Sequence, residues 1–239
     1  MLSFNNKLIS ISGKLTNWTP PTPGVIPNDM DFVYLANDFD GSKIPNRAPN
    51  STFGDYLQYG TLTKNDSGSA CYLSNDRNYL NYLGKQLTTD ELNNIKAIDN
   101  TYTFFIRMMM ITSGGVGGVM STRYNGGGYN YMIRCESLQL QIHTSSGTNL
   151  GSDFMMNVDR VYKVQINGNS FYAKNLETNA EYNLTYSGGR SMGNLMTSFN
   201  AGYSGEGALD RFYAFAGIAR QTTSSEDNEI RDVLMNQSL

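Results

Sequence analysis

Residues 161–172 read Val161-Tyr-Lys-Val-Gln-Ile-Asn-Gly-Asn-Ser-Phe-Tyr172, and this stretch decides the fold. Tyr162, Val164 and Ile166 recur at every second position, which predicts a β-strand with one buried face. Asn167-Gly168-Asn169 follows and supplies residues that tolerate the backbone angles of a tight turn. The chain is therefore expected to return at once as a second strand over residues 170–174, forming an antiparallel hairpin.

Working outward, the same alternation extends over most of the chain, with turn residues about every 8–12 positions, as in β-sandwiches. Residues 138–143 alternate strictly, which places Leu138, Leu140 and Ile142 inward and Gln139, Gln141 and His143 outward. Residues 211–220 are apolar on both faces, which is typical of a central strand that is covered on both sides. Further strands are predicted over residues 102–111, 116–122 and 129–135.

Two short helices are predicted from their N-terminal signals. Thr88-Thr-Asp-Glu91 and Thr223-Ser-Ser-Glu226 are capping boxes, in which a hydroxyl and a carboxylate satisfy the first free amides of a helix. Leu92 and Ile95 follow the first at helical spacing, and Ile230, Val233 and Leu234 give the second an apolar face. Many strands with two outer helices predict an all-β, antiparallel sandwich.

Composition narrows the classes of function. The chain has 239 residues, a net charge of −3 and 16% charged residues, with no basic stripe for nucleic-acid phosphates. No apolar run approaches the ~18 residues of a membrane span, and no leader pattern precedes the first strands, so no membrane partner is expected. His143 is the one histidine, which excludes a multi-histidine metal site. The spacing of Cys71 and Cys135 matches no metal-binding or redox motif. Two buried thiols and one disulfide are both compatible with the sequence.

A proline-rich stretch divides the chain. Residues 19–27 hold four of the six prolines and are expected to be extended and stiff. The predicted organisation is an anchor segment over 1–18, a linker over 19–28 and the sandwich over 29–239. The anchor reads as one hairpin, which is at best marginally stable alone. It is expected to order against another copy, a trimer being preferred, or against another protein, although a strand docked on its own domain remains an alternative. Its apolar residues are Leu2, Phe4, Leu8, Ile9 and Ile11.

A glycine-rich loop over residues 123–131 is the candidate ligand site. Tyr124, Asn125, Tyr129 and Tyr131 combine aromatic faces, which stack on sugar rings, with an amide that donates to and accepts from hydroxyls. The alternative is that Tyr129 and Tyr131, two residues apart, simply pack on one strand face.

No catalytic residue is predicted. Glycoside hydrolysis needs two carboxyl groups at a defined separation. Glu226, Asp227 and Glu229 belong to the start of the second helix, where acids complement the helix dipole. Glu177 and Glu181 are assigned to a solvated turn, and no activated nucleophile accompanies His143.

The hairpin at residues 161–172 resembles the paired strands of the concanavalin A-like, laminin-G-type jelly roll found in bacterial and phage surface proteins. Residues 209–220, with the capping box at 223–226, are similar to that family's closing strand and short helix. Phe39-Asp-Gly-Ser-Lys-Ile-Pro-Asn46 is similar to its opening Asp-Gly motif. The resemblance covers residues 30–236, and residues 1–28 resemble the anchor and linker of a phage virion protein.

This resemblance implies a non-enzymatic virion structural, decoration or fibre protein. It would be assembled in the bacterial host cytoplasm and would contact host-surface or mucosal glycans, or other virion proteins through its N-terminal segment. The alternative is a bacterial carbohydrate-binding module or a polysaccharide-active enzyme, although the Glu-x-Asp-x-x-Glu run of the fold's hydrolases does not occur. Some relatives hold a structural calcium ion, for which Asp38 or Asp40 together with Asp210 are the matching candidates.

Overall fold

The computed structural model describes residues 3–4, 7–9, 15–17, 25–59, 63–65, 71–73, 82–91, 101–110, 116–123, 129–143, 147–168, 170–185, 198–199 and 211–237. Within these residues the strands are β1 (Ser3–Phe4), β2 (Lys7–Ile9), β3 (Leu15–Asn17), β4 (Phe32–Leu35), β5 (Lys43–Ile44), β6 (Tyr56–Tyr59), β7 (Thr63–Asn65), β8 (Cys71–Leu73), β9 (Tyr82–Gln86), β10 (Thr101–Met109), β11 (Val116–Arg123), β12 (Tyr129–Glu136), β13 (Gln139–His143), β14 (Gly147–Asn149), β15 (Tyr162–Asn167), β16 (Ser170–Asn175), β17 (Glu181–Thr185), β18 (Ser198–Phe199) and β19 (Arg211–Ile218). Helix α1 spans Ser224–Asn236, and short 3-10 helices span Ala36–Asp38 and Ser152–Phe154.

Strands β4 to β19 form two eight-stranded antiparallel sheets that pack face to face. In the first sheet the order is β17-β16-β15-β10-β19-β8-β7, and β4 also pairs with β19. In the second the order is β14-β13-β12-β11-β18-β9-β6-β5. One apolar cluster joins the inner faces, with Phe104 and Val164 from the first sheet and Ile133 and Leu140 from the second. The predicted all-β, antiparallel sandwich is confirmed.

Aromatic rings occupy the sandwich core around β4. Phe32 and Tyr34 stack with ring centres 5.2 Å apart, and Tyr34 stacks in turn on Tyr56 at 4.8 Å. Gly217 of β19 pairs with Phe32, and a Cβ there would lie 2.9 Å from a carbon of the Tyr102 ring and closer still to the Phe32 ring. A residue without a side chain is therefore required where the two rings cross β19.

A second apolar cluster lies on the outside of the first sheet, under helix α1. The outward side chains of β4, β10 and β19 meet the helix there, and they include Val33, Phe105 and Ala216. Ile230, Val233 and Leu234 form the apolar face of the helix, as predicted, and each is fully buried. Strand β19 is thus covered on both faces, which confirms the prediction for residues 211–220.

Arg107 of strand β10 connects helix α1 to the first sheet. Its guanidinium forms a bidentate ion pair with Asp159, at 2.8 and 2.7 Å, and donates to the carbonyl oxygens of Leu234 and Met235 at 2.8 and 2.9 Å. It also lies 4.6 Å from the centre of the Tyr213 ring. The last carbonyls of a helix lack partners within the helix, so Arg107 supplies them from a central strand.

The predicted hairpin is confirmed, and the neighbouring predictions differ in detail. Asn167 pairs with Ser170, and Gly168 adopts a φ of 54° in the turn between β15 and β16. Leu138 was predicted to lie on a strand, which is wrong, and to face inward, which is correct. It lies with Ser137 in the turn between β12 and β13, both at positive φ, because reversal of the chain consumes two residues. Leu138 still packs against the core.

The start of the first predicted helix is also present. The Thr88 amide donates to Glu91 Oε2 at 2.8 Å and the Glu91 amide to Thr88 Oγ1 at 3.3 Å, which is a capping box. Leu92 and Ile95 lie outside the described residues. Cys135 is buried, whereas the side chain of Cys71 lies outside them.

The N-terminal segment contains three paired strands rather than one hairpin, since β1 pairs with β2 and β2 with β3. The side chains of the anchoring candidates lie outside the described residues. Helix α1, the longest described helix, is too short and too polar to cross a membrane, and no other described helix could do so.

Candidate functional site

Strands β15, β16 and β17 present a regular grid of polar side chains on the outer face of the first sheet. Their inward residues, such as Val164, Phe171 and Leu184, belong to or pack against the sandwich core. Because side chains alternate along a strand, the residues between them point outward. The strand register aligns nine of these in three rows: Lys163, Lys174 and Glu181; Gln165, Tyr172 and Asn183; and Asn167, Ser170 and Thr185.

Tyr172 occupies the centre of this grid. Cross-strand neighbours have Cβ atoms about 4.5–5.5 Å apart, so Gln165 and Asn183 flank the ring directly. The Lys163 ammonium lies 6.0 Å from the ring centre. Burial, a hydrogen bond with the Glu181 carboxylate and the negative charges of Glu181 and Asp227 raise the pKa of Tyr172 well above its usual value. The phenol is therefore neutral and held in place.

The charges of the first row are balanced when Asp227 of helix α1 is included. Lys163 Nζ lies 2.9 Å from both carboxylate oxygens of Asp227 and 3.4 Å from the Thr222 carbonyl oxygen. Both side chains of this pair are almost fully buried. Lys174 Nζ lies 3.6 Å from Glu181 Oε1 in a more exposed pair. Each of the two ammonium groups thus has a carboxylate partner.

The N-terminal end of helix α1 forms one wall of a cleft over the grid. Thr222, Ser224 and Asp227 line this wall, and two rows of the grid with Asn167 and Ser170 line the floor. The outer-face cleft, as we call it, has a volume of about 390 Å³. That is within the range of small-ligand pockets, and its lining is almost entirely amide, hydroxyl and charged groups around one aromatic ring.

Arg220 fixes the position of this wall. Its guanidinium donates to the Asp29 carboxylate at 2.6 and 3.0 Å and to the Glu226 carboxylate at 2.6 and 3.1 Å. Glu226 also completes the capping box with Thr223. The hydrogen bonds from Arg220, followed by those from the Thr223 backbone, lower the pKa of Glu226 to about 2.

Gln165 carries an unsatisfied group in the cleft. Its Oε1 atom is buried and has no hydrogen-bond partner among the residues that the structure describes, and such an atom is costly unless something donates to it. The matching row of the second sheet is different, because Gln141 there accepts from Arg134 Nε at 2.8 Å and donates to Asn149 Oδ1 at 2.5 Å. Of these two rows, only the row in the cleft contains a glutamine oxygen without a partner among the described residues.

Of the residues predicted from the sequence for ligand binding, two have a described backbone, and it belongs to the second sheet. Tyr129 and Tyr131 belong to β12, but their side chains lie outside the described residues, as do Tyr124 and Asn125 entirely. The Tyr131 backbone pairs with Ser121 of β11. The glycine-rich loop therefore stays a prediction, as does the outward side chain of His143.

The calcium candidates have protein partners in the described part of the chain. Asp38 forms a bidentate ion pair with Arg47, at 2.9 and 2.5 Å. Asp40 Oδ1 accepts from the amides of Ser42 and Lys43 and from the Ser42 hydroxyl, and it thereby stabilises a turn. Asp210 lies outside the described residues. No group of three or more histidine, cysteine or acidic side chains comes together among the residues that the structure describes.

Sequence reasoning missed the outer-face cleft although two of its strands, β15 and β16, were predicted correctly. Lys163, Gln165 and Tyr172 all lie in the stretch that decided the fold, as its outward residues. Glu181 was assigned to a solvated turn, whereas it begins β17 and faces Lys174. The sequence signal that could have revealed the cleft is a tyrosine among amide and hydroxyl side chains that recur at every second position of adjacent strands.

The sheets, their topology and the outer helix define a concanavalin A-like β-sandwich. Among solved structures, the chain is similar to the sialidase of Trypanosoma rangeli in complex with sialic acid, with a TM-score of 0.55 and 11% identity over 92% of this chain and 35% of that one. It is also similar to the binding domain of botulinum neurotoxin DC in complex with SialylT, with a TM-score of 0.57 and 10% identity over 86% of this chain and 52% of that one.

The chain therefore spans about a third of the sialidase and half of the neurotoxin chain, and at this identity the likeness shows the fold alone. No protein-family model matches the chain. No curated protein matches it in sequence.

Proposed function

We propose that this protein is a non-enzymatic, lectin-like module that binds a glycan in the outer-face cleft. The observation that carries the proposal is the position of Tyr172. This residue is half-buried, and Gln165 and Asn183 on the neighbouring strands flank its ring. Sugar rings offer C–H faces that pack on aromatic rings and hydroxyls that both donate and accept hydrogen bonds. The grid supplies partners for both.

The similar solved structures support a glycan as the ligand class. The sialidase was solved with sialic acid and the neurotoxin binding domain with SialylT, so sandwiches of this kind occur in proteins that handle sugars. Fold alone does not determine function. The chemistry of the cleft in this chain therefore has to carry the argument.

The cleft favours binding over hydrolysis. Hydrolysis of a glycosidic bond requires a carboxyl group that donates a proton to the leaving oxygen and a second that acts as base or nucleophile. The carboxylates that line the cleft are Glu181 and Asp227, and each is engaged by a lysine. Incubation with β-glucans and mucin glycans is expected to release no products, and detection of cleavage by mass spectrometry would overturn the non-enzymatic assignment.

A glycan array followed by calorimetric titration tests the site itself. Tyr172→Ala is expected to weaken binding about tenfold or more, because the stacking ring is lost. Tyr172→Phe keeps the ring and should retain most of the affinity. Thr185→Ala serves as the matched control, since Thr185 shares the outer face but does not line the cleft. Failure of the whole array to bind, or equal binding by Tyr172→Ala, would refute the proposal.

We further propose that the module belongs to a phage virion, as a decoration or fibre protein, and that its N-terminal segment attaches it. The resemblance of residues 30–236 and the proline-rich linker support this assignment. The strands of the sheet β1-β2-β3 are only two or three residues long, and so small a sheet needs a hydrophobic face packed against a partner, which favours contact with another subunit. A homo-oligomer, a trimer in preference, would bury Leu2, Phe4, Leu8, Ile9 and Ile11 between copies.

Light scattering on the whole chain tests this attachment. The parent protein is expected to be oligomeric, and Leu8→Glu together with Ile9→Glu should dissociate it, because the two positions alternate across β2 and one of them must enter any interface. A parent that is monomeric and is also absent from phage particles by mass spectrometry would contradict the proposal, and the bacterial carbohydrate-binding module would then be preferred.

A further inference from the structure

We infer that the outer-face cleft selects a neutral sugar unit over a sialylated one, and that Gln165 is the residue that reads a sugar hydroxyl. This inference rests on the proposed glycan binding and deepens it. Three observations carry it. Each charged side chain of the first row is paired, the Gln165 Oε1 atom has no hydrogen-bond partner among the described residues, and the Tyr172 phenol is uncharged.

Among the described residues that line the cleft, each cation already has a carboxylate partner. An ammonium group has three hydrogen atoms to donate. Lys163 directs its own at the two carboxylate oxygens of Asp227 and at the Thr222 carbonyl oxygen. Lys174 is paired with Glu181. A sialic acid carboxylate would therefore enter beside two existing carboxylates with no positive charge in excess, and like-charge neighbours oppose binding.

An acceptor without a partner favours a ligand that brings a donor. Gln165 lines the cleft, and its Oε1 atom is buried without a partner among the described residues, so turning this amide toward a ligand hydroxyl that donates to it removes an existing cost. A carboxylate has no hydrogen to donate at neutral pH. The neighbouring Tyr172 ring is uncharged and offers an apolar face. A neutral pyranose satisfies both groups at once.

Glu181→Gln is the most direct test of the charge argument. Matched neutral and sialylated probes, namely lactose and sialyllactose or N-acetyllactosamine and its sialylated form, are titrated into the whole protein. The parent is expected to prefer the neutral member about tenfold or more. Glu181→Gln keeps the shape but releases the Lys174 charge, so the preference should fall to about threefold or reverse. Binding of sialyllactose to this variant should then weaken between about 50 and 500 mM NaCl, as screened charges do.

Gln165→Met tests the acceptor. It removes the amide at similar length, so neutral glycans are expected to bind about tenfold more weakly. The free protein should meanwhile be as stable as the parent or more so, because a buried unsatisfied atom is gone. A residue with only a structural role would show the opposite, a loss of stability.

The outcomes separate the two proposals. If the parent binds glycans at Tyr172 but prefers the sialylated members, or if Glu181→Gln leaves the preference unchanged, the selectivity argument is overturned and the glycan site stands. If no member of any pair binds and the array is also silent, the proposed function fails and this inference fails with it.

Discussion

Replacing Lys163 with methionine is expected to destabilise the protein by about 3–5 kcal/mol. The Lys163 ammonium lies 2.9 Å from both oxygens of Asp227, and the two side chains are 5% and 7% exposed. Methionine fills similar space without the charge. Asp227 would keep the hydroxyl hydrogen bond from Thr222, at 2.6 Å, but would remain a buried anion without a counter-charge. The loss is large because a buried charge is left unpaired.

Two companion variants make this measurement specific. Lys43→Met breaks an ion pair of 2.6 Å with Asp55, but these side chains are 45% and 31% exposed, so its cost should stay below about 1 kcal/mol. The double variant Lys163→Met with Asp227→Leu removes both buried charges and should regain most of the lost stability.

The assay is urea unfolding followed by far-ultraviolet circular dichroism, with midpoints and slopes fitted for each variant. A Lys163→Met protein within about 1 kcal/mol of the parent would show that Asp227 is not an isolated buried anion. A double variant that loses the sum of both single losses would show that the pair is not coupled. Either result would refute the conclusion that the Lys163–Asp227 ion pair holds helix α1 against the first sheet.

Two further predictions concern the core and the acid end of the pH scale. Gly217→Ala is expected to cost about 3 kcal/mol or more, because the new Cβ overlaps the Phe32 ring and crowds Tyr102; a melting temperature within a few degrees of the parent would contradict the reported packing. Glu226 has a folded pKa of about 2 against an ordinary 4.5. Its contribution to the free energy of unfolding is therefore complete above about pH 5, and this free energy declines as the pH falls toward 2. Glu226→Gln should therefore flatten that decline, by about 1–2 kcal/mol after solvent screening of the partly exposed pair with Arg220; parallel stability curves for parent and variant would count against it.

Local patterns predicted β10 to β13, β15, β16 and β19, because alternation and turn residues act over a few positions. The β15–β16 hairpin is an example, with its turn at Gly168 and its partners adjacent in sequence. Pairing between distant strands left no such signal. The contact of Phe32 with Gly217 is decided by ring packing in the finished core, and no short window of sequence contains both residues.

The candidate site was missed for a related reason. Gln141 and Gln165 both appear in the sequence as outward polar residues of an alternating strand. They differ only in whether the neighbouring strand brings a partner, which Arg134 does for Gln141 and none does for Gln165 Oε1. Asp227 was predicted to complement the helix dipole, and its pairing with Lys163, 64 positions earlier, depends on how helix α1 lies on the sheet.

The pairing of β4 with β19 has a consequence for biosynthesis. Val33 aligns with Ala216, and the Asn37 side chain donates to the carbonyl oxygen of Gln237, 200 positions later. During synthesis on the ribosome, β4 therefore lacks the strand that it pairs with until β19 has been translated. Chains rich in such distant contacts fold slowly, and until they have folded they expose apolar surface that promotes aggregation. Yield in a heterologous host should therefore depend on chaperone supply and growth temperature more than on the final stability of the sandwich.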